Sequence, residues 1–103
     1  MKMFLAESWQ DRSEKIEVLN PFDGKIVDTV PMASLSDVEA ALAAASQGTL
    51  PIRRLSGFER SKILKRAADL VEKHSEDLAR TITMEEGKIL AEARFEVSRL
   101  LKH

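Results

Sequence analysis

Cysteine is absent from the chain. That excludes a disulfide framework, a thiolate nucleophile and any cysteine-based zinc site, and it fits a reducing compartment. Histidine is nearly as scarce: His74 and His103 stand alone, neither with a second ligand three or four residues away, so no metal pair is predicted. Glycine occurs only at Gly24, Gly48, Gly57 and Gly87, so there is no phosphate loop and no G-x-G-x-x-G fingerprint. Long apolar runs are missing too. The first residues, Met1-Lys2-Met3-Phe4-Leu5-Ala6-Glu7, reach an acid too soon for a signal peptide, and a membrane span needs about twenty apolar residues. Nor does one sign of charge prevail: sixteen basic against seventeen acidic residues leave a net charge of −1. No field then draws the chain to nucleic acid or an anionic membrane. The expectation is a cytoplasmic chain with neither as a partner.

What is present fits one domain at most, with a modest core. Residues 2–9 carry Met3, Phe4, Leu5 and Trp9 and predict a short strand, with a polar turn over 10–14. Lys15-Ile16-Glu17-Val18-Leu19-Asn20 and Lys25-Ile26-Val27-Asp28-Thr29-Val30 flank Pro21-Phe22-Asp23-Gly24. Asp-Gly between two β-prone runs signals a hairpin, because glycine accepts positive φ without steric cost. Pro21 and Pro31 cannot donate ladder hydrogen bonds and are expected at strand ends. Residues 2–30 thus predict two or three strands.

After Pro31 the apolar period changes from 2 to 3.6. Ser36-Asp37-Val38-Glu39 reads as a capping box opening a helix whose face is Val38, Ala41, Leu42 and Ala45, with Gly48 as its stop. Residues 49–55 then form a connector fixed by Pro51. Ser56-Gly57-Phe58-Glu59 repeats the box and opens a helix over about 58–74, with Ile63, Leu64, Ala67, Ala68, Leu70 and Val71 as its stripe. His74 is expected to meet the carbonyls at that helix end. Ser75, Glu76 and Asp77 start a third helix, using Leu78, Ala79 and Ile82 and ending at Gly87. A fourth uses Leu90, Ala93, Val97, Leu100 and Leu101. It is still amphipathic at His103, which suggests a cut rather than a natural end.

Chemistry is hard to assemble from these pieces. Glu85-Glu86 and the one-turn pair Glu92 and Glu96 are the paired carboxylates. The second pair has a spacing suited to a cation, or forms a solvated face in which Glu96 meets Arg99 or Lys102. Arg53, Arg54, Arg60, Lys62, Lys65 and Arg66 form a basic cluster. Interleaved acids and a lack of exposed aromatics favour a solvated helix face there over a phosphate site. No catalytic residue and no cofactor-binding residue can be named. Lys88 beside Gly87 reads as a cation near a helix C-terminus, with Gly87 as the cap between two helices.

The order of pieces nevertheless resembles a family. Asn20-Pro21-Phe22-Asp23-Gly24, then Ile26 and Val30, is similar to the early Asn-Pro-x-x-Gly hairpin of the NAD(P)-dependent aldehyde dehydrogenases. Glu59-Arg60, Ile63-Leu64, Ala67-Ala68-Asp69-Leu70 and Glu72 resemble the family's long second helix. Glu85, Gly87-Lys88, Glu92-Ala93 and Glu96-Val97 resemble its Glu-x-Gly-Lys and Glu-Ala-x-x-Glu-Val signature. The likeness runs over about residues 15–103. Leu50-Pro51-Ile52 replaces the Trp common before the second helix, as in some branches acting on small aldehydes such as lactaldehyde or glyceraldehyde 3-phosphate.

The resemblance implies an α+β fragment, mainly α: N-terminal β-hairpin strands over 1–34, then four amphipathic helices over 35–103, together one partial domain. In the complete enzymes, which oxidise an aldehyde to an acid with NAD or NADP, this part packs on the nucleotide-binding domain and frames one side of the substrate entrance. The oxyanion-stabilising Asn, general-base Glu and nucleophilic Cys lie beyond it. The implied partner is the remainder of such an enzyme, and no cofactor is bound by this chain alone. Some members hold a structural cation near the Asn-Pro turn, which by position implicates Val18, Leu19 and Glu96. A different class of function also remains open from the residues: a small helical module that dimerises or binds a partner through its apolar faces.

Overall fold

The computed structural model describes residues 1–101; Lys102 and His103, and with them the Glu96–Lys102 pairing and the lone His103, lie outside the described residues. Two antiparallel hairpins come first. Strands β1 (Met3–Leu5) and β2 (Ser8–Gln10) pair with Phe4 opposite Trp9, and the two rings meet edge to face at 5.3 Å. Their turn has positive φ at both Ala6 (46°) and Glu7 (68°), the backbone of a two-residue hairpin turn. The single expected strand is therefore a hairpin. Ala-Glu carries none of the Gly or Asn chemistry that normally announces such a turn, so composition gave no sign of it.

Strands β3 (Lys15–Leu19) and β4 (Ile26–Pro31) form the second hairpin, in the register Ile16 to Val30 and Val18 to Asp28, with a bulge between Val18 and Leu19. Its turn is held by the Asn20 carbonyl, which accepts from Gly24 N–H at 2.8 Å, and by the Asn20 side chain, which accepts from Phe22 N–H at 2.9 Å. Gly24 supplies the left-handed residue at φ 70°. Pro31 closes β4 opposite Lys15 and is buried.

Helix α1 (Leu35–Arg54) departs from expectation at both ends. Its N-cap is Ser34, whose hydroxyl accepts from Asp37 N–H at 3.2 Å, while Asp37 Oδ2 accepts from Ser34 N–H at 2.9 Å. The sequence holds two overlapping boxes. The one at Ser34 wins because Asp37 also receives the Arg12 guanidinium, at 3.0 Å (Nε) and 2.5 Å (Nη2), from twenty-five residues away. Gly48 does not stop the helix, and the connector expected over 49–55 is helical as far as Arg54, with Pro51 inside. An interior Gly costs only about 1 kcal/mol against Ala, and Arg53 and Arg54 complement the C-terminal dipole. Leu35, Val38 and Leu42 remain exposed.

Helix α2 (Gly57–Lys73) has the expected box: Ser56 Oγ accepts from Glu59 N–H at 3.2 Å and Glu59 accepts from Ser56 N–H at 2.8 Å. His74 ends it, donating its N–H to the carbonyls of Leu70 and Val71, and serves at once as N-cap of α3 (Ser75–Glu86). Helix α4 is Leu90–Arg99. The core sits between α3 and α4, where Ala79, Ala93 and Val97 are buried and Val71, Ile82 and Leu90 pack around them. Two alanines in that seam let the helix backbones approach closely.

Elsewhere the chain is a slab. Its extents are 48 × 36 × 15 Å and its radius of gyration is 16.9 Å, against about 13 Å for a compact domain of this length. Helix α2 buries none of its residues, and Leu64 is 71% exposed. The expected architecture, strands then four helices, is observed.

Candidate functional site: the corner between the third and fourth helices

The chain's chemistry-bearing side chains gather where α3 turns into α4. Gly87 adopts the left-handed conformation (φ 72°, ψ 11°) and its N–H returns to the Thr83 carbonyl at 3.0 Å, capping α3. The turn of the second hairpin arrives at the same point: Pro21 packs on Gly87 so tightly that a β-carbon there would lie 2.9 Å from Pro21 Cγ. The Asn-Pro turn and the Gly-Lys corner, 66 residues apart in the chain, thus meet.

Lys88 is half-buried in this corner. Its ammonium donates to Glu96 on α4 and pairs with Glu86 at the end of α3, 3.2 Å away. Both carboxylates, Glu96 first, raise the Lys88 pKa above its ordinary value. Glu96 therefore does not form the expected pair with Arg99. Lys88 is more than a charge near a helix end, because it ties α3 to α4. A second clasp joins the same pair: Glu76 accepts from Arg94 Nε at 2.9 Å and Nη2 at 2.8 Å, and from Arg80 Nε at 3.1 Å. Arg94 is the main reason the Glu76 carboxyl lies below its ordinary pKa.

The remaining candidates are dispersed. Val18 and Leu19 flank the bulge of the second hairpin, with Val18 half-buried and Leu19 exposed. Among the described residues no three His, Asp or Glu side chains converge as a metal-ligand set. At the basic cluster, the expected lack of exposed aromatics is corrected: Phe58 is 69% exposed and Lys62 Nζ lies 4.7 Å from its ring centroid, a cation–π contact. Spacing alone could have shown it, since 58 and 62 are one helical turn apart. Beside it runs an open groove between α2 and the end of α4, about 820 Å³, floored by Ser61, Leu64, Ala68 and Val71 and walled by Leu100 and Leu101. No described helix is long and apolar enough to cross a membrane.

Comparison with known proteins decides what this arrangement belongs to. The model of the aldehyde dehydrogenase family matches residues 9–103. The chain belongs to the aldehyde dehydrogenase family. It is 36% identical over 95 residues to the D-glyceraldehyde dehydrogenase (NADP(+)) of Picrophilus torridus, covering 90% of this chain and 19% of that enzyme. It is 39% identical over 92 residues to the succinate-semialdehyde dehydrogenase [NADP(+)] of Escherichia coli, covering 87% of this chain and 19% of that one. Among solved structures, the succinate-semialdehyde dehydrogenase of Burkholderia pseudomallei superposes with a TM-score of 0.89 at 34% identity, over 94% of this chain and 20% of the other. The chain thus spans about a fifth of the length of the relatives it matches.

A helix N-terminus binds phosphate through free N–H groups and positive dipole. Here the first turn of α1 is taken by Asp37, that of α2 by Glu59, and that of α3 carries Glu76 and Asp77. In α1 and α2 that carboxylate closes a capping box, whereas Glu76 of α3 turns to Arg94 and Arg80.

Proposed function

We propose that this aldehyde dehydrogenase chain supplies the N-terminal helical layer of an NAD(P)-dependent enzyme oxidising an aldehyde to its acid, and performs no step of that reaction itself. The match over residues 9–103, set against coverage of a fifth of the relatives, carries this reading. The slab shape supports it. A layer 15 Å thick with Leu64, Leu70, Phe58 and Ile63 exposed on one helix is built to be covered, and the nucleotide-binding part of the enzyme is the partner that covers it. The substrate class follows the relatives: a short aldehyde with a polar or acidic tail.

The test has two arms. The purified chain, given NAD+ or NADP+ with succinate semialdehyde or D-glyceraldehyde, forms no reduced nucleotide. Co-expressed with the E. coli relative lacking the stretch it matches, it restores turnover. Activity of the chain alone, or failure to restore activity while the two parts co-purify, would sink the proposal. The exposed stripe of α2 also favours self-association in isolation, so the chain by itself is expected to sediment as a dimer or larger. A monomer would remove that second role.

A further inference from the structure

A cation site built from Val18, Leu19 and Glu96 would need the β3 end and Glu96 to meet near the corner where Pro21 touches Gly87. What occupies the acid in that arrangement is an ammonium. We propose that Lys88 is the resident counter-ion of this corner, and that the chain takes no alkali or alkaline-earth cation between the β3 end and Glu96. The donor set argues for this. An ammonium has three N–H donors, and Lys88 directs them to carboxylates on two different helices, Glu86 and Glu96. A hard cation needs several oxygen ligands at once. Glu96 is the only carboxylate in the implied set, and a cation bound there would share it with Lys88 and lie beside that positive charge. Arg99, on the rim of the same hollow as Lys88, Glu92 and Glu96, adds further positive charge against such an ion. The arrangement also explains why a lysine directly follows the capping glycine. The left-handed residue turns the chain so that the next side chain points back across both helix ends.

The experiment follows helical content and melting of the full chain by circular dichroism at fixed ionic strength in choline, sodium, potassium and magnesium chloride. The expected result is the same Tm in every salt. A cation bound at 1 mM affinity would instead raise the Tm in 100 mM of its salt by about 10 °C or more over choline, and a rise of that kind would overturn the proposal. Charge exchange supplies the second arm. Lys88→Glu and Glu96→Lys each lower helicity or Tm, and the double exchange recovers most of the loss. Singles without effect, a double no better than either single, or a wild-type chain with no helical signal would each overturn the assignment of Lys88 as the corner's counter-ion.

Discussion

Pro21 and Gly87 are in direct contact: the pyrrolidine ring fills the space that a side chain at position 87 would need. Two requirements therefore fall on one residue, a left-handed backbone at φ 72° and the absence of a β-carbon. Gly87→Ala is expected to lose roughly 1–2 kcal/mol from the backbone conformation alone and more from the 2.9 Å approach to Pro21. In a Pro21→Ala background only the conformational part should remain. Urea unfolding of the four variants checks this, and purely additive losses would show that the ring and the corner are not coupled.

Acid should release two of the chain's ionic clasps in a defined order. The Glu76 carboxyl lies below its ordinary value of 4.5, chiefly because Arg94 donates to it. A carboxyl depressed in the folded state contributes stability that is complete above the unfolded pKa and is lost as pH falls through the folded one. Helicity should hold from neutral pH to about 5, then fall below 4.5. Asp37, held far below its ordinary 3.8 chiefly by Arg12, should give way later. Glu76→Gln is expected to shrink the first step, to which the depressed Glu59 carboxyl of the α2 cap also contributes, and to leave the second. Because the Glu76 clasp is half exposed, concentrated salt should shrink its step by screening.

The elements with repeated local signals were legible from the residues: the Asn20–Lys25 turn, the box at Ser56, the left-handed Gly87, and the apolar seam of Ala79, Ala93 and Val97. What escaped was set by partners distant in the chain. Two serines compete to cap α1, and only the arrival of Arg12 at Asp37 decides between them. Glu96 has near neighbours in sequence, yet it is taken by Lys88, eight residues back across the corner. The helix through Gly48 and Pro51 escaped for another reason: a glycine suggests a stop and a proline a connector, yet Gly48 keeps a negative φ and the helix runs on through Pro51. Family membership was legible because its motif residues mark backbone turns and caps, which the sequence reveals without any catalytic group.

Thr83 sits one turn before the Gly87 cap, and its buried hydroxyl has no hydrogen-bond partner although its carbonyl receives the Gly87 N–H. An unsatisfied buried hydroxyl costs free energy that an isosteric methyl does not. Thr83→Val should therefore be neutral or stabilising by up to about 1 kcal/mol, read from the shift in urea midpoint. A clear destabilisation would mean that the hydroxyl has a partner when folded, such as an ordered water.

The two candidate caps of α1 make opposite predictions for two serines separated by one residue. Ser34 Oγ accepts from Asp37 N–H at 3.2 Å, whereas the Ser36 hydroxyl meets only that of Ser34, at 2.9 Å. Loss of an N-cap side chain typically costs about 1 kcal/mol, so Ser34→Ala should destabilise by that amount. It should also release Asp37 from its box and weaken the hold on Arg12. Ser36→Ala, inside the first turn where alanine has the higher helix propensity, should change stability by less than about half of that. If Ser36→Ala proved the costlier substitution, α1 would begin two residues later, at the box ending in Glu39. Asp37 would then no longer close a cap, and the Arg12 clasp would have to survive without it.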